Sequence, residues 1–278
     1  MADRALRALA TLCALTCLAG CTDGTSADPA PPPAPASAPQ VRVLQLNLCN
    51  SGIAGCFTGR ATATAATVIR AEAPDLVTLN EACSTDLAAL EDALADSGTA
   101  PRAVTSAFQA ARDARTGAPY RCRYGGEYGI GVLARWPQVP GSTPAGGIYP
   151  AQDPDDPEQR AWLCLDAAAT PAVTVCTTHL AYTRRDVAQA QCEHLFGTVI
   201  AQVRARAAAT PVVLGADLNL GAGDDPQLRS CLPPGFVLAG DGGQQHVVGT
   251  PGFAVSDVRS IDLRGSTDHP GLLVTLRR

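Results

Sequence analysis

The sequence predicts an α/β protein, a four-layer α/β/β/α sandwich in which two mainly antiparallel sheets pack face to face with helices outside. Short apolar runs typical of strands recur along the chain and alternate with turn-rich stretches. Three segments with helical periodicity, at 61–73, 85–98 and 184–209, separate groups of these runs. Two sheets that pack on each other and on outer helices account for this alternation.

The first half of the folded region is predicted to run strand, helix, strand, helix. VRVLQLNL is a β-rich run, and the first helical segment leads through Pro74 and Asp75 to the strand LVTLN. The next helical segment, TDLAALEDALADSG, ends at Gly98, and glycine commonly terminates helices.

Three short apolar runs follow, YGIGVLAR, RAWLCLDA and AVTVCTTHL, and we expect them to be strands. The longest helical segment then ends before Pro211, and VVLGADLN continues as a buried strand. Residues 141–159 are rich in Pro, Gly and Asp and predict a long surface insertion. Loops of that length commonly carry function, and disorder is the alternative.

The N-terminus has the features of a secretory signal peptide over residues 1–20. Arg4 and Arg7 precede an apolar stretch at 8–18 that is too short to span a bilayer. The tetrapeptide LAGC resembles a bacterial lipobox, which implies lipid attachment at Cys21. An ordinary cleaved signal is the alternative.

The rest of the chain divides into a tether and one domain. Residues 21–40 are rich in Pro and Ala and predict an extended, partly stiff tether, and 41–278 is predicted to be a single domain. We expect a secreted or extracytoplasmic monomer that reaches the membrane only through its lipid anchor.

The cysteine count favours disulfides. Of the 11 cysteines, three lie in the leader, and the remaining even number in an oxidising compartment is typical of disulfide pairs. Cys164 and Cys176 flank the turn-like AATPA and would face each other in an antiparallel hairpin. Cys49 and Cys56 bracket a short loop. The partners of the other four stay open: Cys83, Cys122, Cys192 and Cys231.

The net charge argues weakly against a large nucleic-acid footprint. The formal net charge is −5 and the sequence pI is about 5.3. Four arginines form a local basic cluster, for which a solvated loop is the simpler interpretation: Arg112, Arg115, Arg121 and Arg123.

Polar residues follow the strand-like runs in a fixed order along the chain. They are Asn47, Glu81, His179, Asp217 with Asn219, and Asp268 with His269. Their local strings, VRVLQLNLCN, PDLVTLNEAC, VTVCTTHLAY, TPVVLGADLNL, VRSIDLRG and STDHPGLL, together resemble the endonuclease/exonuclease/phosphatase superfamily, which includes pancreatic-type deoxyribonucleases. The resemblance covers residues 41–278.

The resemblance implies a divalent metal site. It makes Glu81 the principal ligand and Asn47 a supporting one, and Asp268 would orient the neighbouring histidine or approach a second cation. Their oxygen atoms are the hard ligands that Mg²⁺ takes, with Mn²⁺ and Ca²⁺ as alternatives.

The element GADLN implies catalytic roles for two more residues. The Asp-x-Asn spacing is kept, although Ala216 stands between the Gly and the Asp where many relatives have none. The resemblance makes Asp217 a ligand or an orienter of the attacking water, and Asn219 a donor to the scissile phosphate.

Two histidines complete the catalytic set. By resemblance His269 is the general base or a transition-state stabiliser, with Asp262 in SIDLR as the carboxylate that orients it. His179 is expected to donate to the phosphate, with Glu127 as its carboxylate partner.

Arg160 resembles a phosphate-binding arginine, a role that suits its planar fork of donors, and a plain surface arginine is the alternative.

These residues predict a divalent-metal-dependent phosphoesterase. An endonuclease-like phosphodiesterase comes first, and a phosphatase on an inositol phosphate or phosphoinositide, or a sphingomyelinase-like phosphodiesterase, comes second. A non-catalytic surface-binding lipoprotein is the alternative of another class, and we expect such a protein to have lost catalytic positions that this chain keeps.

Overall fold

The structure is a computed structural model that describes residues 39–278 apart from 99–102, 207–209, 222 and 224–226. The predicted signal peptide, the lipobox cysteine Cys21 and almost all of the predicted tether lie outside the described residues.

The described chain contains fourteen strands and four α-helices. The strands are β1 Gln40–Asn47, β2 Leu76–Cys83, β3 Thr105–Ala110, β4 Arg112–Asp113, β5 Tyr128–Ala134, β6 Ala145–Ile148, β7 Glu158–Gln159, β8 Ala161–Ala167, β9 Val173–His179, β10 Val212–Asp217, β11 Val237–Gly240, β12 Gln245–Gly249, β13 Ala254–Ile261 and β14 Gly271–Arg277. The helices are α1 Ala61–Glu72, α2 Leu87–Ala95, α3 Arg185–His194 and α4 Ala201–Arg206, and a π-helical turn, Leu195–Ile200, joins α3 to α4.

Twelve of these strands form two six-stranded sheets. Sheet 1 has the order β13-β14-β1-β2-β5-β3, and sheet 2 has the order β11-β12-β10-β9-β8-β6. Each sheet has one parallel pair at its centre, β1 with β2 and β9 with β10, and its other pairings are antiparallel. Because His179 lies opposite Asp217 in the β9–β10 register, both strands of that pair end together.

Three apolar clusters separate the four layers. The cluster between the sheets takes residues from both, such as Val43 and Val213. The outer face of sheet 1 packs on α1 and α2 around Ile69. The outer face of sheet 2 packs on α3 and the π-helical turn around Leu195. The predicted four-layer sandwich is therefore confirmed.

Four disulfides tie loops and helices to this frame. Cys164 and Cys176 are paired directly across β8 and β9 and are bonded, and Cys49 is bonded to Cys56. The structure also supplies the pairings that the sequence left open, which are Cys83–Cys122 and Cys192–Cys231. No helix in the described part of the chain is long and apolar enough to cross a membrane.

The predicted insertion at 141–159 carries two short strands. Within it β6 pairs with β8 and extends sheet 2, and β7 pairs with β4 in a small separate sheet. The β4–β7 pair brings the end of the insertion to the edge of the site described next.

Candidate active site

A cavity of about 460 Å³ opens where the central strands of both sheets end. Most of the sequence-predicted site residues line it. They are Glu81 from β2, His179 from β9, Asp217 at the end of β10 and Asn219 just after it, Arg160 just before β8, and Asp268 with His269 from the loop before β14.

The backbone at Glu81 is what turns this carboxylate into the cavity. The β2–β5 register shifts between Leu79 and Ala82, and Glu81 has a left-handed φ of 53°. A β-bulge of this kind re-aims a side chain, and a positive φ is uncommon for a residue other than glycine. Burial raises the pKa of the Glu81 carboxyl above its usual value. A cation beside Glu81 would offset that cost of burial.

Asn47 lies at the end of β1, fully buried, and joins the carboxylates of the two sheets. Its Nδ2 donates to Glu81 Oε1 at 2.8 Å and to Asp217 Oδ2 at 3.2 Å, and its Oδ1 accepts the Cys49 N–H at 3.0 Å. In this orientation the amide nitrogen faces the two carboxylates, and the role of Asn47 as a supporting metal ligand stays a prediction.

Asp217 is 1% exposed and surrounded by donors. Its Oδ1 accepts the Asn219 N–H at 3.2 Å, and its Oδ2 accepts Gln245 Nε2 at 2.6 Å. Burial raises the pKa of the Asp217 carboxyl. Asn219 has a φ of 49°, and its side-chain nitrogen donates to the Leu180 carbonyl at 2.9 Å.

His179 is held by an arginine rather than by the predicted Glu127. Arg160 Nη1 lies 2.8 Å from His179 Nδ1. A guanidinium only donates, so Nδ1 is the acceptor and the proton of the neutral ring is on Nε2. Burial, with Arg160 beside it, lowers the pKa of His179 well below its usual value. The expectation for Glu127 was wrong: this residue lies just before β5, its N–H donates to Ser84 Oγ, and it does not line the cavity.

Arg160 is 3% exposed and carries a network of its own. Its Nη2 and Nε bind Asp156 Oδ2 at 2.7 and 3.2 Å, and Nη1 lies 3.5 Å from Glu158 Oε1. The exposed ring of Tyr182 lies against the guanidinium, 5.5 Å from its carbon. Arg160 therefore lines the cavity as predicted, but the described contacts commit it first to holding His179 and two acids.

Sequence reasoning missed the acids and the tyrosine that complete this side of the cavity. Asp156 and Glu158 come from the end of the insertion, and the hydroxyl of Tyr128 faces both Glu158 and Glu81. Burial raises the pKa of Glu158 to about 7. The signal in the sequence was the acidic run DPDDPE just before Arg160, but nothing in it shows that a loop will fold back onto the site.

His269 is 24% exposed and lies between carboxylates and an amide. Its Nε2 is 3.8 Å from Asp217 Oδ2 and 3.9 Å from Asp268 Oδ1, and its Nδ1 is 3.5 Å from Gln245 Nε2. The expected partner Asp262 was wrong: it is exposed and caps a turn by accepting the Arg264 N–H at 2.7 Å. The β12 residue Gln245 occupies the place that the resemblance gave to a carboxylate.

The donor set of the cavity fits a hard divalent cation. Glu81 and Asp268 offer carboxylate oxygens, and Mg²⁺ is commonly held by one or two carboxylates with water and substrate phosphate completing its shell. The sulfur atoms of Cys49 and Cys56 also approach Glu81, but they form a disulfide and have no thiolate to offer.

The fold and the cavity define a class of α/β/β/α sandwich in which acids and imidazoles gather at one end of both sheets. Residues 44–269 match the sequence model of the Endonuclease/Exonuclease/phosphatase family, and the chain belongs to that family. Members of the family are generally phosphoesterases. A search among curated proteins found no match.

Solved structures share the fold at low sequence identity. An endonuclease/exonuclease/phosphatase from Beutenbergia cavernae DSM 12333 is 23% identical, with a TM-score of 0.65 over 86% of this chain and 71% of that one. A humanized D. rerio TDP2 is 15% identical, with a TM-score of 0.59 over 86% and 99%. ANGEL2, described as a 2',3'-cyclic phosphatase, is 13% identical, with a TM-score of 0.60 over 86% and 95%.

Proposed function

We propose that this chain is a divalent-metal-dependent phosphodiesterase of the endonuclease type, exported and anchored through Cys21. The observation that carries the proposal is the convergence on one cavity of carboxylates, amides and two imidazoles from both sheets. Hydrolysis of a phosphoester needs an oriented water, a cation and donors for the charge of the transition state, and this cavity offers groups for each.

Glu81 and Asp268 are the residues that would hold the cation. Mg²⁺ suits them, with Mn²⁺ or Ca²⁺ as alternatives. A bound cation would neutralise the negative charge of the phosphate oxygens. The half-buried Glu81 carboxylate, whose pKa is raised and which receives one N–H from Asn47, supports this assignment.

The chain's own groups divide the remaining work. Asp217, at the end of β10, accepts hydrogen bonds and is the group that orients the attacking water. His179 presents Nε2–H as a donor, because Arg160 occupies Nδ1. Asn219 also lines the cavity. One N–H of its amide donates to the Leu180 carbonyl, and the other is the proposed donor to the phosphate.

The mouth of the cavity supports a diester that carries an organic group. Ile53 and Tyr182 line the cavity and are 58% and 60% exposed, so an apolar or aromatic group next to the phosphate has surfaces to contact. Bases stack well on exposed tyrosine rings. The second candidate is a phosphatase on a small phosphorylated molecule, which the net charge of −5 favours over a large nucleic-acid substrate.

Hydrolysis of a substrate panel by the oxidised domain, residues 39–278, tests the proposal. The panel is plasmid DNA, bis-p-nitrophenyl phosphate, p-nitrophenyl phosphate, a phosphoinositide and sphingomyelin, each with and without EDTA. We expect EDTA-sensitive cleavage of the diesters that is lost in Glu81→Gln and kept in Glu193→Gln, an exposed glutamate on α3. Faster cleavage of the monoester would favour the phosphatase, and silence on every substrate would favour a binding protein.

A further inference from the structure

Three fully buried amides connect the two sheets directly beneath the site. Gln45 and Asn80 belong to sheet 1, Gln245 belongs to sheet 2, and each is 0% exposed. Buried amides must satisfy their donors and acceptors within the protein, so their hydrogen bonds decide which end of each amide faces which neighbour.

The backbone fixes the orientation of this network from one end. The Asp217 N–H donates to Asn80 Oδ1 at 2.7 Å, and Asn80 Nδ2 donates to the Thr178 carbonyl at 2.8 Å. A backbone N–H can only donate and a carbonyl can only accept, so the Asn80 amide has one possible orientation.

The orientation then passes to the other two amides. Gln45 lies 2.6 Å from Asn80 Oδ1 and must present its Nε2 there, and the same Nε2 donates to Gln245 Oε1 at 3.0 Å. Gln245 therefore turns its own Nε2 toward the site, where it donates to Asp217 Oδ2 at 2.6 Å. The Asp217 carboxylate accepts this N–H, which agrees with the amide orientations that the backbone groups at Asn80 impose.

The second N–H of Gln245 faces His269. Its Nε2 lies 3.5 Å from His269 Nδ1, and an amide nitrogen has no lone pair to offer an imidazole N–H. Nδ1 is thus the acceptor, and the proton of the neutral ring is on Nε2, which faces the carboxylate oxygens of Asp217 and Asp268. A carboxylate in place of Gln245 would favour the opposite tautomer, with Nδ1 protonated.

We propose that Gln245 is a positioning residue that holds His269 as its Nε2–H tautomer, so that His269 meets the phosphoester as a hydrogen-bond donor and not as the base that takes a proton from water. The role assigned to His269 rests on the proposed phosphodiesterase function, while the tautomer does not. Asp217, which Gln245 also holds, is then the acceptor left for the attacking water.

The test is the tautomer of His269, read by long-range ¹H–¹⁵N NMR on protein labelled with ¹⁵N-histidine, at a pH where the ¹⁵N shifts themselves show the neutral ring. The chain has 4 histidines, and single His→Gln variants assign them. We expect His269 to carry its proton on Nε2 in the wild type. In Gln245→Glu, which keeps the shape but replaces the donor by an acceptor, Nδ1 gains the proton. Gln244→Glu places the same charge one residue away and leaves the tautomer unchanged.

Kinetics supply the functional half of the test. We expect Gln245→Glu to lower kcat by about 10²-fold with little change in KM, because the donor to the transition state is lost while the cavity keeps its shape. A wild-type His269 protonated at Nδ1, or a tautomer that does not change in Gln245→Glu, overturns the proposal.

Two further results keep the outcomes distinct. If Gln245→Glu does not fold, Gln245→Met removes the donor at similar volume, and we expect Nδ1–H to appear as part of a tautomer mixture; an Nε2–H tautomer kept in full by that variant overturns the proposal. If the tautomers behave as expected but no phosphoester is cleaved, the proposed function fails while the positioning by Gln245 stands.

Discussion

His179 and His269 lie on the same cavity, but the protein holds them in opposite ways. His179 ends a buried central strand, is 6% exposed and receives a cationic donor from Arg160. His269 lies on a loop, is 24% exposed and has two carboxylates within 4 Å of its Nε2. The first environment keeps an imidazole neutral and fixed, and the second leaves a ring that a substrate can reach. This difference supports the proposed roles, in which His179 positions the phosphate and His269 faces the reacting atoms.

Removal of each imidazole ring is expected to have the largest effect and tests the difference between His179 and His269. We expect His269→Ala to lower kcat by about 10²- to 10⁴-fold and His179→Ala by a smaller factor within that range, because a positioned acid or base group typically contributes this much. Steady-state hydrolysis of bis-p-nitrophenyl phosphate measures both. His194→Gln, on α3 outside the cavity, should leave kcat unchanged. Near-full activity in His269→Ala would contradict the assignment.

Replacement of Arg160, whose guanidinium holds His179, tests the buried network around that histidine. Arg160→Met leaves Asp156 buried without its partner, and breaking a buried pair costs about 3–5 kcal/mol of unfolding free energy. Urea unfolding measures the loss. The matched control is Arg184→Met, which breaks the exposed pair with Asp186 and should lower the unfolding free energy far less. Equal costs in the two variants would show that the Arg160 network does not stabilise the fold.

The pH dependence of stability tests the Arg160 side of the cavity, where we expect a smaller effect. Burial raises the pKa of Glu158 from 4.5 to about 7, so between these values the folded protein holds a proton that the unfolded chain has released. Stability from this group is complete below about pH 4.5 and is lost as the pH rises through 7, by up to about 1.4 kcal/mol per pH unit. We expect Glu158→Gln to flatten that slope in denaturant unfolding from about pH 5 to 7. Glu193→Gln should keep the wild-type slope, and two identical slopes would argue against a buried, protonated Glu158.

Much of the fold could be predicted from the sequence because its signals are local. The apolar runs and the three helical segments mark the strands and helices, and the Cys164–Cys176 pair follows from the geometry of one hairpin. The pairings Cys83–Cys122 and Cys192–Cys231 could not be predicted, because each joins segments 39 residues apart whose proximity depends on the folded layers.

The site residues show the same division between local signals and contacts that depend on the folded layers. Glu81 and Asp217 each end a central strand, and parallel strands that end together bring such residues to one edge of the sandwich. The partners of the two histidines differ in range: Arg160 reaches His179 across the β8–β9 hairpin, whereas Gln245 needs β12 to lie beside β10. The expectation for Glu127 failed because Arg160, which is nearer in the sequence, binds His179, and the expectation for Asp262 failed because the more distant Gln245 lies beside His269.

We propose that a cation held by Glu81 makes this cavity a phosphodiesterase site. The decisive measurement is turnover of bis-p-nitrophenyl phosphate after EDTA treatment, as Mg²⁺ is added back to the wild type and to Glu81→Gln. We expect saturable recovery in the wild type, and in the variant a loss of turnover or a requirement for far more Mg²⁺. Turnover that persists in EDTA, or that returns equally in both proteins, would contradict it.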